Sequence, residues 1–203
     1  MKKNTFCKTV LVFLISFSSL IMQDAFATAP LPKTPADYQG PFYPVTSQQD
    51  IDNDLTRIKG KTEVAQGDIL NLSGMAVNTS GKPLAGLTIE IWQTDTQGKY
   101  KHPGDSTPGE RDPNFQYWGA TITDTGGRFF FRTLVPGAYN PRPAHIHYKV
   151  LRDGKPILTS QIYFIDTDKQ QKIPSLTSQI ERQTVTLKKI TTGEFEAFFR
   201  IVL

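Results

Sequence analysis

Two of the three histidines in the chain fall two residues apart, as His145-Ile146-His147. On an extended strand, residues at that spacing project from one face, so both imidazoles can reach a single point in space. A strand-borne metal site needs that geometry, and two imidazoles suit zinc, copper, nickel or iron alike. The same spacing also fits two half-exposed strand histidines that hold nothing. Further ligands must decide, and they are scarce: the only cysteine is Cys7, and no aspartate or glutamate lies close to the pair in sequence. Two tyrosines stand in loop-like stretches instead. Tyr139 lies six residues before His145, within Pro136-Gly137-Ala138-Tyr139-Asn140-Pro141-Arg142-Pro143. Tyr100 lies within Gly98-Lys99-Tyr100-Lys101-His102. A phenol ionises only near pH 10, so a phenolate ligand requires a strong Lewis acid beside it. A ferric ion would satisfy two such phenolates. The plainer reading leaves both tyrosines as rim aromatics.

The elements that would carry these residues are short. From Asp68 onward, apolar and polar residues alternate in runs bounded by turn residues, and 87–92 (Leu-Thr-Ile-Glu-Ile-Trp) is the clearest period-two stretch. Strands are expected at 69–74, 87–92, 120–123, 128–134, 145–151, 161–165, 183–187 and 196–202. Asn78-Thr79-Ser80-Gly81, Asp124-Thr125-Gly126-Gly127 and Asp153-Gly154-Lys155-Pro156 are turn signals between them. This spacing points to an all-β fold, an antiparallel β-sandwich with long loops carrying the candidate site. Pro30, Pro32, Pro35 and Pro41 make 28–43 an extended N-terminal arm. Between arm and sandwich, 50–61 is polar, with Ile51, Leu55 and Ile58 at helical spacing, so any helix there should be short and superficial.

Residues 1–27 have the pattern of a signal peptide. Lys2, Lys3 and Lys8 precede an apolar run over 10–22, and Ala25-Phe26-Ala27 forms a small-x-small cleavage site. The run is shorter than the roughly 20 residues of a spanning helix, so no lasting membrane insertion is expected after cleavage. The protein should work outside the cytoplasm, in the periplasm or secreted, as one domain over 28–203. Cys7 leaves with the leader, so no disulfide or thiol chemistry is expected in the rest. A domain of about 175 residues can bury enough surface without them. The leader also carries part of the formal +4 charge. Lysines and arginines are scattered rather than striped, which argues against nucleic acid as a partner.

An ordered series of motifs then carries a more specific signal. It runs from Gly40-Pro41-Phe42-Tyr43-Pro44 through Leu87-Thr88-Ile89-Glu90-Ile91-Trp92-Gln93, Gly98-Lys99-Tyr100 and Asp112-Pro113-Asn114-Phe115. It continues with Asp124-Thr125-Gly126-Gly127-Arg128-Phe129, Pro136-Gly137-Ala138-Tyr139, Arg142-Pro143-Ala144-His145-Ile146-His147 and Gln161-Ile162-Tyr163-Phe164. In these motifs the chain resembles the intradiol ring-cleavage dioxygenases, in particular their protocatechuate 3,4-dioxygenase-like branch. The resemblance implies one non-haem Fe(III) ion bound by Tyr100, Tyr139, His145 and His147. It implies that Tyr139 leaves the metal when substrate arrives and that Tyr100 stays. Arg142 is implied to stabilise negative charge on the bound catecholate, and Gln161 to sit near the substrate and oxygen pocket. The implied reaction opens a catechol-type ring between its hydroxylated carbons. Both atoms of O2 enter a muconate-type diacid, with no nicotinamide or flavin.

Three departures from that pattern bear on specificity. The stretch between Tyr139 and His145 is short for the family, which would open one wall of the pocket and leaves the particular catechol undetermined. The long N-terminal helical segment of the catechol 1,2-dioxygenase branch is lacking, so self-association, if any, is expected through the sandwich or the arm. The leader suggests work on catechols outside the cell. His102 falls outside the implied ligand set and is read as a loop residue touching substrate. Two rival readings remain: a non-catalytic exported sandwich that binds aromatics, sugars or a partner protein, and a zinc enzyme that would need a carboxylate or His102 as a third ligand.

Overall fold

The computed structural model describes residues 29–46, 48, 50–166 and 178–203, so the signal-peptide expectation over 1–27 lies outside the described residues. Among the described residues the strands are β1 (Ile69–Val77), β2 (Thr88–Gln93), β3 (Trp118–Ile122) and β4 (Arg128–Leu134), then β5 (His145–Arg152), β6 (Lys155–Asp166), β7 (Thr184–Thr191) and β8 (Glu194–Val202). One short helix, α1 (Ser178–Arg182), precedes β7. No helix of the described residues is long and apolar enough to cross a membrane. The strands form one sheet in the order β3-β2-β5-β6-β7-β8-β1-β4. β7 links its two halves: Thr184 to Leu187 run beside β6, and Lys188 to Thr191 beside β8. The halves face each other across a core that includes Ile89, Ile91, Ile146, Tyr148, Val150 and Ile162 from one side. Leu70, Leu72, Phe129, Phe131, Phe199 and Ile201 come from the other. The Tyr148 and Phe199 rings meet across it at 5.4 Å.

The β-sandwich expectation holds, with a correction to its purely antiparallel form, because β1 pairs with β8 and β6 with β7 in parallel. Sequence alternation carries no strand direction, so only the long-range pairing reveals this. β6 also begins at Lys155, well before the expected 161. Asp153 and Gly154, both at positive φ, turn the chain so tightly that Lys155 already pairs with Arg152.

The segment 50–61 is not a superficial helix. It contains bends and isolated bridges, and Leu55 is completely buried. Both outer strands of the sheet have a free edge, and this segment covers both. The Ala120 N–H on β3 donates to the Ile51 and Asp52 carbonyls, while Arg132 N on β4 donates to Asn53 O and Leu55 N to Arg132 O. Pairing the edges with irregular chain satisfies backbone groups that would otherwise template aggregation. The arm is extended as expected and lies along the sheet, with Thr34 N donating to Val202 O and Asp37 N to Thr159 O.

Candidate active site

Ile146, Tyr148 and Val150 of β5 point into the core. Alternation therefore sends His145 and His147 to the opposite face of the sheet, where both are nevertheless only 2% exposed. The arm and two loops cover that face. Its floor is set by register, with His145 opposite Tyr163, and His147 flanked by Gln161 and Trp92. The β2–β3 loop brings Tyr100 and the β4–β5 loop brings Tyr139.

The two tyrosine loops are locked to one another. Gly98 sits at φ +80°, and a Cβ there would fall 2.3 Å from Ala138 O, so only glycine lets the loops touch. Asp95, 1% exposed, is the internal clamp. Its carboxylate accepts from Gln97 N at 2.9 Å, Lys99 N at 3.1 Å, Asp112 N at 3.2 Å and the Tyr117 hydroxyl at 2.9 Å. Its carbonyl accepts from Gly137 N at 2.8 Å, which ties the Tyr139 loop to the Tyr100 loop. Asp95→Asn would set an amide NH2 against two of these donors. It is expected to cost about 1–3 kcal/mol, the range for unpairing a buried polar group. Thermal denaturation would measure it, and an unchanged midpoint would contradict this account.

The four side chains converge. His145 Nε2 lies 3.1 Å from His147 Nε2 and 3.4 Å from the Tyr100 hydroxyl. The Tyr139 ring lies 5.6 Å from both the Tyr100 and the His145 rings. Pro143 O can only accept, so the 2.7 Å contact fixes the proton of His145 on Nδ1 and turns its Nε2 lone pair toward the cluster. Burial pushes the His145 pKa down to about 4 and that of His147 to about 2, the latter helped by His145 and Arg142. Both imidazoles are thus neutral donors at neutral pH. Burial, reinforced by Tyr139, raises the Tyr100 phenol well above its ordinary range. Only a strong cation could make it a phenolate. Among the described residues no third histidine, cysteine or carboxylate joins the pair. This set of two neutral nitrogens and two phenol oxygens fits a hard, strongly Lewis-acidic ion, and it does not provide the third ligand that zinc chemistry would take.

Arg142 lies beside this cluster. A tight turn, closed by Arg142 N donating to Tyr139 O at 2.5 Å, brings it back past Tyr139. Its guanidinium donates to Gln161 Oε1 at 2.5 Å and to the Tyr163 hydroxyl at 3.0 Å. Gln161 is fully buried and donates through Nε2 to Tyr38 O of the arm. His102 does not join the cluster. Its Nδ1 accepts from Gly104 N, its Nε2 is buried without a partner among the described residues, and its ring packs 5.5 Å from Phe42. Sequence reading missed Tyr163, whose ring sits 5.9 Å from His145, and Phe42, which packs 4.8 Å from Tyr100. Tyr163 could have been found from its two-residue spacing from Gln161 on one strand. Phe42 falls in the Gly40-Pro41-Phe42-Tyr43-Pro44 motif, but nothing in the sequence sets it against Tyr100, because it reaches the site only through the path of the arm.

A family model described as Dioxygenase matches residues 38–198. The chain is also 34% identical over 144 residues to the protocatechuate 3,4-dioxygenase beta chain of Burkholderia cepacia, covering 66% of this chain and 61% of that one. The chain belongs to the intradiol ring-cleavage dioxygenase family. The catechol 1,2-dioxygenase of Acinetobacter baylyi is 31% identical over 147 residues, covering 64% of this chain and 45% of that protein. The chain thus spans about half to three-fifths of the length of these two family members. Among solved structures, one similar fold is the dioxygenase domain of a dioxygenase carbohydrate-binding protein fusion from Streptomyces sp. SirexAA-E. It matches at TM-score 0.64 and 29% identity, covering 85% of this chain and 98% of that one.

Proposed function

We propose that this protein is an exported non-haem Fe(III) dioxygenase that cleaves catechol-type rings between the two hydroxylated carbons, placing both atoms of O2 in a muconate-type diacid. The observation that carries this reading is the convergence of two imidazoles and two tyrosines, with no third histidine, cysteine or carboxylate grouped with the pair among the described residues. A bound ferric ion would supply Lewis acidity, favouring the doubly deprotonated catechol and drawing electron density from its ring. The protein does the rest. His145 and His147 would hold the ion as uncharged ligands, leaving its charge to be met by the phenolates and the substrate. Tyr100 is 2% exposed and stays in place. Tyr139 is only half-buried, so its phenolate, displaced by the incoming catechol, would turn aside and take up one of the two catechol protons, the other leaving to solvent. Arg142 faces the negative charge that develops on the bound ring, held in position by Gln161 and Tyr163. Phe42 and His102 wall the approach. The leader pattern over 1–27 supports work outside the cytoplasm, and recovery of the native protein from the cytoplasm with those residues intact would overturn that part.

The test is visible absorption of the chain purified with ferric iron, before and after anaerobic addition of catechol. A ferric–phenolate charge-transfer band is expected, moving to longer wavelength with catechol. Tyr100→Phe should abolish most of it and Tyr139→Phe should weaken it. A colourless protein that retains no iron would end the dioxygenase reading in favour of a binding sandwich.

A further inference from the structure

The two imidazoles are held by different forces. His145 has a hydrogen-bond partner behind it, the Pro143 carbonyl at 2.7 Å. His147 has none among the described residues, where its buried Nδ1 meets no partner. A metal-binding histidine ordinarily anchors its outer nitrogen on a carbonyl or carboxylate, which fixes the plane of the ring. Something else must fix His147. Its ring lies flat on the indole of Trp92, with centroids 4.9 Å apart and planes within 6°. From the other direction, Gly40 of the arm comes so close that a Cβ there would stand 3.1 Å from Cε1 and 3.4 Å from Nε2 of His147. Gly40 is at φ +75°, a conformation that favours glycine.

Trp92 is itself immobilised. It is 1% exposed and pairs directly with His147 across β2 and β5. Tyr43 of the arm packs edge-on against it at 5.0 Å, and the Tyr43 hydroxyl donates to Glu90 at 2.9 Å. The Lys149 ammonium sits 3.3 Å above the Tyr43 ring. A chain of ring contacts therefore runs from the surface to the site, with Lys149 over Tyr43, Tyr43 edge-on to Trp92 and Trp92 stacked on His147. The indole N–H of Trp92 is buried without an acceptor among the described residues, so no hydrogen bond within them explains the placement of the indole either.

We propose that Trp92 and Gly40 form a packing clamp that sets the plane of His147, replacing the hydrogen bond that sets His145, so that Trp92 is a positioning residue for the metal centre. This rests on the ferric reading above. Stacking fixes the tilt of a ring but permits it to slide, so the clamp depends on both walls. The N-terminal arm is thereby part of the ligand scaffold.

The test compares Trp92→Leu, Trp92→Phe and Gly40→Ala with the unmodified chain, all loaded with ferric iron. Iron affinity is read by chelator competition, and ligand symmetry by the electron paramagnetic resonance line shape and the position of the charge-transfer band. Trp92→Leu is expected to weaken iron binding about 10- to 100-fold, the usual effect of removing a group that orients a metal ligand, and to change the line shape of the iron still bound. Trp92→Phe keeps a flat face and should restore most of both. Gly40→Ala perturbs the opposite wall from the arm, away from the core, and should shift the line shape even if Trp92→Leu does not fold. An unmodified chain with the band, whose Trp92→Leu and Gly40→Ala variants match it in affinity and line shape, overturns the clamp alone. An unmodified chain without the band overturns the ferric reading and the clamp together.

Discussion

Replacing Arg142 with leucine is expected to lower kcat/KM for catechol opening by about 10²–10³-fold, the effect of deleting one donor aimed at developing charge in a water-poor site. The placement of the guanidinium is bound up with the site itself. It stands three residues before His145, its positive charge helps lower the pKa of both histidines, and Gln161 and Tyr163 hold its Nη2 nitrogen. Lysine should recover little of the loss. A single ammonium on a flexible stem cannot hold those two contacts and present a flat fork to a catecholate as well. Oxygen uptake at matched iron content is the measurement. A variant that keeps both its colour and the unmodified rate would remove Arg142 from the chemistry.

The largest loss of stability is expected from Leu55→Ala, about 2–5 kcal/mol by urea denaturation. Leu55 is fully buried, and its backbone is stitched in on both sides: its N–H donates to Arg132 O and its carbonyl accepts from Gln116 N. The chain around it cannot collapse into the gap without breaking those bonds, so the cavity should persist and most of its cost should be felt. The same residues seal the open edges of β3 and β4, so the damage should also appear as aggregation of the heated protein. A loss under about 1 kcal/mol would show that the segment is as superficial as its polar composition suggests.

That composition shows where sequence reasoning reaches and where it stops. The alternation in 87–92 and 128–134 was legible because one face of each strand meets the core, and the shared face of His145 and His147 followed from the same rule. Tyr100 and Tyr139 could be singled out as residues, but their meeting depends on Asp95 and on the close approach of Gly98 to Ala138, contacts between loops far apart in the chain. Leu55 was misplaced because its burial comes from two distant strand edges, not from any periodicity of its own. Trp92 looked like one more apolar strand residue. It is in fact on the face away from the core, where its neighbour is a histidine, and only the register of β2 against β5 makes that visible. Tyr163, similarly, owes its place to register opposite His145.

The parallel pairing of β1 with β8 also orders events in time. Ile69 lies beside Glu194 and Val77 beside Val202, and the other neighbour of β1, β4, also follows it in the chain. During synthesis β1 therefore emerges long before its last partner exists, and half of the sandwich stays open until residues near 202 are free of the ribosome. Contacts this distant in sequence close slowly, because the entropy of the intervening loop must be spent first. If the chain is exported as proposed, that delay would serve it, because a sandwich that closes last leaves a longer interval in which the chain is not yet folded.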